Sequence, residues 1–190
     1  FKNSSMSKNK NSSLLAYDAQ FFEKGFIGII GADEAGRGAL AGPVMAGSVW
    51  ISQQFFAIYQ ASEFLTLFQD SKLLSEEQRE EAFKQLQELA QTGTIGFAHG
   101  EASVDEIETH NILQATTLAF QRALEKLQKE RSLSLKKKAS LFVSDTRQKD
   151  ISILIDGLPL KQLPYEHRGL VKGDRTSFCI AAASIVAKIT

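Results

Sequence analysis

The stretch IIGADEAGRGALAGPV, residues 29–44, decides how the chain is read. The apolar, isoleucine-rich run from Phe26 to Ala32 reads as a buried strand, and it ends on two adjacent carboxylates, Asp33 and Glu34. Gly36, Arg37 and Gly38 follow as a turn, and Pro43 to Ser52 reads as a second strand. Neighbouring negative charges repel, and they ionise poorly beside a core, so the pair calls for something of opposite sign.

Outward from that stretch, strands and helices alternate. Ser75 with Gln78 is a capping box that predicts a helix to about Ala90, with Gly93 beyond its end. Thr94 to Ala102 is expected to return as a strand. Ser103 with Glu106 repeats the box and predicts one long helix to about Gln128, with Ile107, Ile112, Leu113, Thr116, Ala119 and Phe120 along one side. Leu141–Ser144 and Ile151–Ile155 read as short strands, the second ending at Asp156 and Gly157. Lys172, Gly173 and Asp174 then precede TSFCIAAASIVAKIT, a helix whose small residues permit close packing. The alternation predicts an α/β domain, in which strand ends and adjoining loops host ligands.

Asp33, Glu34, Asp156 and Asp174 share a context: each follows an apolar run, beside glycine, where one element gives way to the next. Carboxylates without interleaved His or Cys are the hard-oxygen donors that Mg2+ or Mn2+ prefers, and two such ions can drive phosphodiester hydrolysis. Taken singly, each acid has a plainer reading: a turn pair for Asp33 and Glu34, a turn signal for Asp156 with Gly157, a helix cap for Asp174. Asp145 also ends a short apolar run. Other chemistries have less support. The 31–38 stretch lacks both G-x-G-x-x-G and G-x-x-x-x-G-K-[ST], and the three histidines form no H-E-x-x-H pattern.

Composition sets outer bounds. At 190 residues and 43% apolar content, one domain with a substantial core is expected. The zero formal charge hides an asymmetry: residues 1–130 carry eleven Lys or Arg against seventeen Asp or Glu, and residues 131–190 carry eleven against five. The second part is therefore the candidate face for phosphates. Cys179, the only cysteine, excludes an intrachain disulfide and a thiolate zinc cluster, and its apolar neighbours predict a buried thiol. No run of about 18 apolar residues suggests a membrane span, and a cytoplasmic protein is expected. Residues 1–25 are read as a polar, partly disordered tail, with the residues before Met6 a remnant, and residues 26–190 as the domain.

The motif GADEAGRGALAGPV resembles the signature of ribonuclease HII, the type 2 ribonuclease H family. QDSKLLSEEQRE (69–80), EIETHNILQATTLAFQRAL (106–124), LIDGLPL (154–160) and LVKGDRTSFCIAAASIVAK (170–188) resemble further family segments, in the family's order. The resemblance implies a ribonuclease H-like fold, a mixed β-sheet flanked by helices, with Asp33, Glu34, Asp156 and Asp174 as metal-binding catalytic acids. It implies that Gly36, Arg37 and Gly38 read a 2′-hydroxyl largely through backbone groups, and that Ser71, Lys72, Ser184 and Lys188 face the nucleic-acid backbone. Arg37 separates the chain from the related type 3 enzymes, which carry Thr there. The implied activity, with Mg2+ or Mn2+, is hydrolysis of RNA in RNA/DNA hybrids and cleavage 5′ to single ribonucleotides in duplex DNA, leaving 3′-hydroxyl and 5′-phosphate ends. The implied setting is a monomer in ribonucleotide excision repair and DNA replication.

The chain departs from the family pattern in places. Ala39 stands where Pro is usual and Leu73 where Lys is usual, and Arg131 to Asp150 reads as an insertion hairpin. The chain stops at Thr190 inside a helix, where the family continues to a tyrosine that helps select the ribonucleotide junction, so a domain shortened at that end is expected. The alternatives are a non-catalytic nucleic-acid-binding module of the same fold and a different two-metal nuclease or integrase-like enzyme, the latter disfavoured by the Gly-Arg-Gly loop.

Overall fold

A computed structural model describes residues 12–38, 42–60, 62–68, 73–133 and 150–190. The Leu141–Ser144 strand, Asp145 and most of the Arg131–Asp150 hairpin expected from the sequence lie outside these residues.

The apolar run anticipated after Phe26 forms β1 (Gly28–Ala35), which continues through the two carboxylates rather than ending before them. It pairs antiparallel with β2 (Val44–Ser52), which pairs antiparallel with β3 (Ile95–Ala102). On its other side β1 pairs parallel with β4 (Ile151–Asp156), and β4 pairs parallel with the three-residue β5 (Arg168–Leu170). The order across the sheet is β3-β2-β1-β4-β5.

Strand pleating sends successive side chains to opposite faces, and both faces of the sheet are covered. Ile29, Val49, Ile51 and Leu154 pack with the last helix, α6 (Phe178–Ile189), together with α1 (Ser12–Glu23), Phe55 of α2 (Gln53–Tyr59) and Leu86 of α3 (Glu76–Ala90). Ile30, Ala32, Val44, Ala46, Ile153 and Ile155 pack on the opposite face against α5 (Ile112–Arg131). The helix α6 lies very close to the sheet. A Cβ on Gly31 would run into the backbone of Cys179 and Ile180, and one on Gly47 into Ala183 O, so both positions need glycine for close approach.

Both capping boxes form, Ser75 with Gln78 and Ser103 with Glu106. The single long helix expected from Ser103 is instead two. α4 (Val104–His110) ends at Asn111, whose φ of 72° and ψ of 162° leave the helical region, and α5 starts afresh. The Asn111 side chain accepts the N–H groups of Leu113 and Gln114, so a residue read as helix interior is the cap of the next helix.

The tail expected over residues 1–25 is corrected for its second half. Leu14, Leu15, Phe21 and Phe22 of α1 are buried in the core, and their spacing places them along one helix face. Asp18 on the same helix is wholly buried and accepts the Cys179 N–H at 3.2 Å, at the start of α6. Burial pushes the Asp18 carboxyl from 3.8 up to about 7, against hydrogen bonds from Ser177 and Cys179 that favour the ionised form. A folded-state value raised above the unfolded one contributes stability below the unfolded value, and that contribution is lost as pH rises towards 7. Asp18→Asn keeps an oxygen acceptor without the charge. Urea unfolding is expected to show the variant more stable than wild type at about pH 8, by at most a few kcal/mol at about 1.4 kcal/mol per unit, with the gain shrinking by about pH 5.

Candidate active site

The β1–β4 pairing runs from Gly28 opposite Ile151 to Ala32 opposite Ile155, so the next residues, Asp33 and Asp156, stand side by side at the ends of parallel strands. Alternation puts both on the face covered by α6. Glu34, one residue on, belongs to the α5 face, and its Oε1 accepts Arg37 Nη1 at 3.0 Å.

Asp33 is only 5% exposed. Its Oδ1 accepts the Glu34 N–H at 2.8 Å, and the Ser184 side chain hydrogen-bonds the carboxyl from α6. Burial is the main cause that pushes Asp33 up to about 7; the Ser184 hydrogen bond opposes it, and the charges of Asp156 and Glu34 add to the rise. Asp156 Oδ1 accepts the Gly173 N–H at 2.6 Å. That bond ties the strand end to the 3-10 turn Gly173–Arg175, which carries Asp174. Asp174 is buried and makes other contacts, while its Oδ2 atom has no hydrogen-bond partner among the described residues. Asp174 does not cap α6, because Ser177 does so by accepting the Ile180 N–H.

The structure sets Asp33 beside Asp156 and ties Asp156 to the turn that carries Asp174, but the four acids do not converge as the sequence suggests. Among the described residues, no three His, Cys, Asp or Glu side chains gather closely enough to hold a metal ion. The pleat turns the Glu34 side chain to the other face of the sheet, where it pairs with Arg37. The donor chemistry still fits a hard divalent cation: the groups are carboxylates, the charge of Asp33 is costly because it is buried beside other negative charges, and a buried oxygen of Asp174 accepts no hydrogen bond from the described residues.

Gly36 opens the turn after β1 with φ of +90°, and a Cβ there would meet Pro43 O, so the turn requires glycine. Gly36, Arg37 and Gly38 are exposed beside the acids. Ser71 and Lys72 lie outside the described residues. Ser184, expected to face the nucleic-acid backbone, is instead fully buried against Asp33, because Gly31 and Gly47 let α6 sit down on the sheet. Lys188 is partly exposed, and its Nζ donates to Ser184 Oγ at 3.0 Å. The sequence reading missed Gly173 as a backbone donor. Its signal was the glycine itself, since a Cβ there would press on Ile180 and approach Asp156 Oδ1.

Carboxylates at the ends of two adjacent parallel strands, in a mixed sheet covered by helices, define an α/β domain of the ribonuclease H-like class. The family model described as ribonuclease HII matches residues 30–190, and the chain belongs to that family. A ribonuclease HII of Desulfitobacterium hafniense (strain DSM 10664 / DCB-2) is 38% identical over 178 residues, covering 94% of this chain and 56% of that protein. A ribonuclease HII of Pseudothermotoga lettingae is 40% identical over 180 residues, covering 94% of this chain and 63% of that protein. The chain thus spans less than two thirds of either relative's length. Among solved structures, Bst-RNase HIII in complex with Mn2+ superposes with a TM-score of 0.59 at 19% identity, over 97% of this chain and 55% of that one, a likeness of fold.

Proposed function

We propose that this chain carries the catalytic machinery of an endoribonuclease that hydrolyses RNA in RNA/DNA hybrids and cuts duplex DNA 5′ to a single embedded ribonucleotide. The observation that carries the reading is the adjacency of Asp33 and Asp156, with the Gly36–Gly38 turn starting three residues after Asp33, just past the end of β1. Asp33, Glu34, Asp156 and Asp174 would hold Mg2+ or Mn2+; Glu34 would leave Arg37 to join them. The ions supply the positive charge that activates an attacking water and steadies the leaving oxygen in phosphodiester hydrolysis.

The chain's own groups do the rest. The Glu34 N–H and Ser184 fix the Asp33 carboxyl, and the Gly173 N–H fixes that of Asp156, so oxygens are oriented before substrate arrives. Gly36 and Gly38 let main-chain donors approach a sugar closely, and a 2′-hydroxyl is what distinguishes RNA from DNA. Lys172 and Arg175, both exposed beside Asp174, supply positive charge for the phosphate backbone. The products are a 3′-hydroxyl and a 5′-phosphate.

The test is a gel assay on three duplexes: an RNA/DNA hybrid, DNA with one ribonucleotide, and all-DNA. Cutting of the first two with Mg2+ or Mn2+, abolished by chelator, is expected. Nicking of the all-DNA duplex would point to a generic nuclease, and binding without any nick to a non-catalytic module.

A further inference from the structure

Ser184 and Lys188 sit one helical turn apart on α6 and form a chain that ends on Asp33. Lysine is a donor only, so where Nζ meets Ser184 Oγ the hydroxyl must accept. The single hydroxyl proton is then left for another acceptor. The Asp33 carboxylate is the strongest one in reach, because a charged acceptor outcompetes a neutral carbonyl. With Oδ1 already engaged by the Glu34 N–H, these bonds leave Asp33 one fixed orientation beside Asp156.

We propose that Ser184 and Lys188 are positioning residues for divalent-cation binding: Lys188 sets the direction of the Ser184 hydroxyl, and Ser184 holds the Asp33 carboxylate ready for the ion. This rests on the reading of Asp33 as a cation ligand and assigns Lys188 a role that direct contact with a phosphate would not give it. The partial burial of the Nζ–Oγ bond and the full burial of Ser184 support it, since a salt- and solvent-exposed lysine would not hold one geometry.

Two explanations of Lys188 predict opposite signs. If the ammonium acts only as a charge, removing it lessens repulsion and tightens cation binding. If it directs the hydroxyl, replacing it with a group that can itself accept turns the proton away from Asp33 and weakens binding. The experiment titrates the 190-residue chain with Mn2+ alone and reads free Mn2+ by electron paramagnetic resonance, with thermal melts confirming the fold. Ser184→Ala and Lys188→Gln are each expected to weaken Mn2+ affinity roughly 10- to 100-fold, the range for partners that orient metal ligands, while the donor-only Lys188→Arg retains it. Unchanged or tighter binding by Lys188→Gln overturns the proposal. Asp33→Asn is the control: Mn2+ affinity that survives it sinks the reading of the site, whereas affinity lost there but kept in Ser184→Ala and Lys188→Gln sinks only the positioning role.

Discussion

Asp33→Asn is expected to reduce cleavage of the ribonucleotide-containing duplex by about three orders of magnitude while the variant melts no lower than wild type. The two halves of that result have one cause. Asp33 is buried beside Asp156 and close to Glu34, so its charge is costly in the bare protein and useful only when a cation answers it. An asparagine keeps an oxygen to accept the Glu34 N–H, and its amide donates where two carboxylates formerly repelled. Stability is therefore held or improved. Activity is not, because the neutral amide cannot balance a divalent cation whose contribution to the barrier is several kcal/mol, at about 1.4 kcal/mol per tenfold in rate. Parallel melts in chelator and single-turnover cleavage check both halves. A variant that cuts at a tenth of the wild-type rate or better would remove Asp33 from the reaction.

How far the sequence reached depends on which interactions decided each element. The apolar runs of β1 and β2 and the two capping boxes are local, and the strands and the boxes at Ser75 and Ser103 form where the sequence places them. The break at Asn111 is also local, but it looked like helix: its side chain serves the following turn instead of the one it interrupts, and the apolar spacing runs through it with little change. β5 has three residues and too little pattern to read. α1 was hidden by the polar leader before it, although Leu14, Leu15, Phe21 and Phe22 already carried helical spacing. At the site, the adjacency of Asp33 and Asp156 depends on the β1–β4 register across more than a hundred residues, which motif resemblance implied and local pattern could not. The opposite orientation of Glu34 and the burial of Ser184 follow from pleat parity and from how closely α6 approaches, and both are settled by the assembled fold.

Gly31→Ala is expected to be strongly destabilising. Overpacking a core ordinarily costs roughly 1–3 kcal/mol because side chains can shift into new rotamers. Here the added methyl meets the Cys179 carbonyl and the Ile180 nitrogen, backbone atoms of a helix that cannot move alone. α6 is held at its start by Asp18, by the Ser177 cap and by Phe178 stacked on Phe55 with ring centroids 5.6 Å apart, and along its length by Gly47 against Ala183 O. Relief at Gly31 must lift the whole helix, which empties space along the sheet and pulls Ser184 from Asp33. A loss of several kcal/mol follows, roughly 10 °C or more in melting temperature for a domain of this size. Gly38→Ala provides the contrast: a Cβ there meets nothing within 4 Å, so its melting is expected to stay within about 0.5 kcal/mol of wild type. Should Gly31→Ala melt like Gly38→Ala, α6 would have room to spare above β1, and the close seating that buries Ser184 on Asp33 would be wrong.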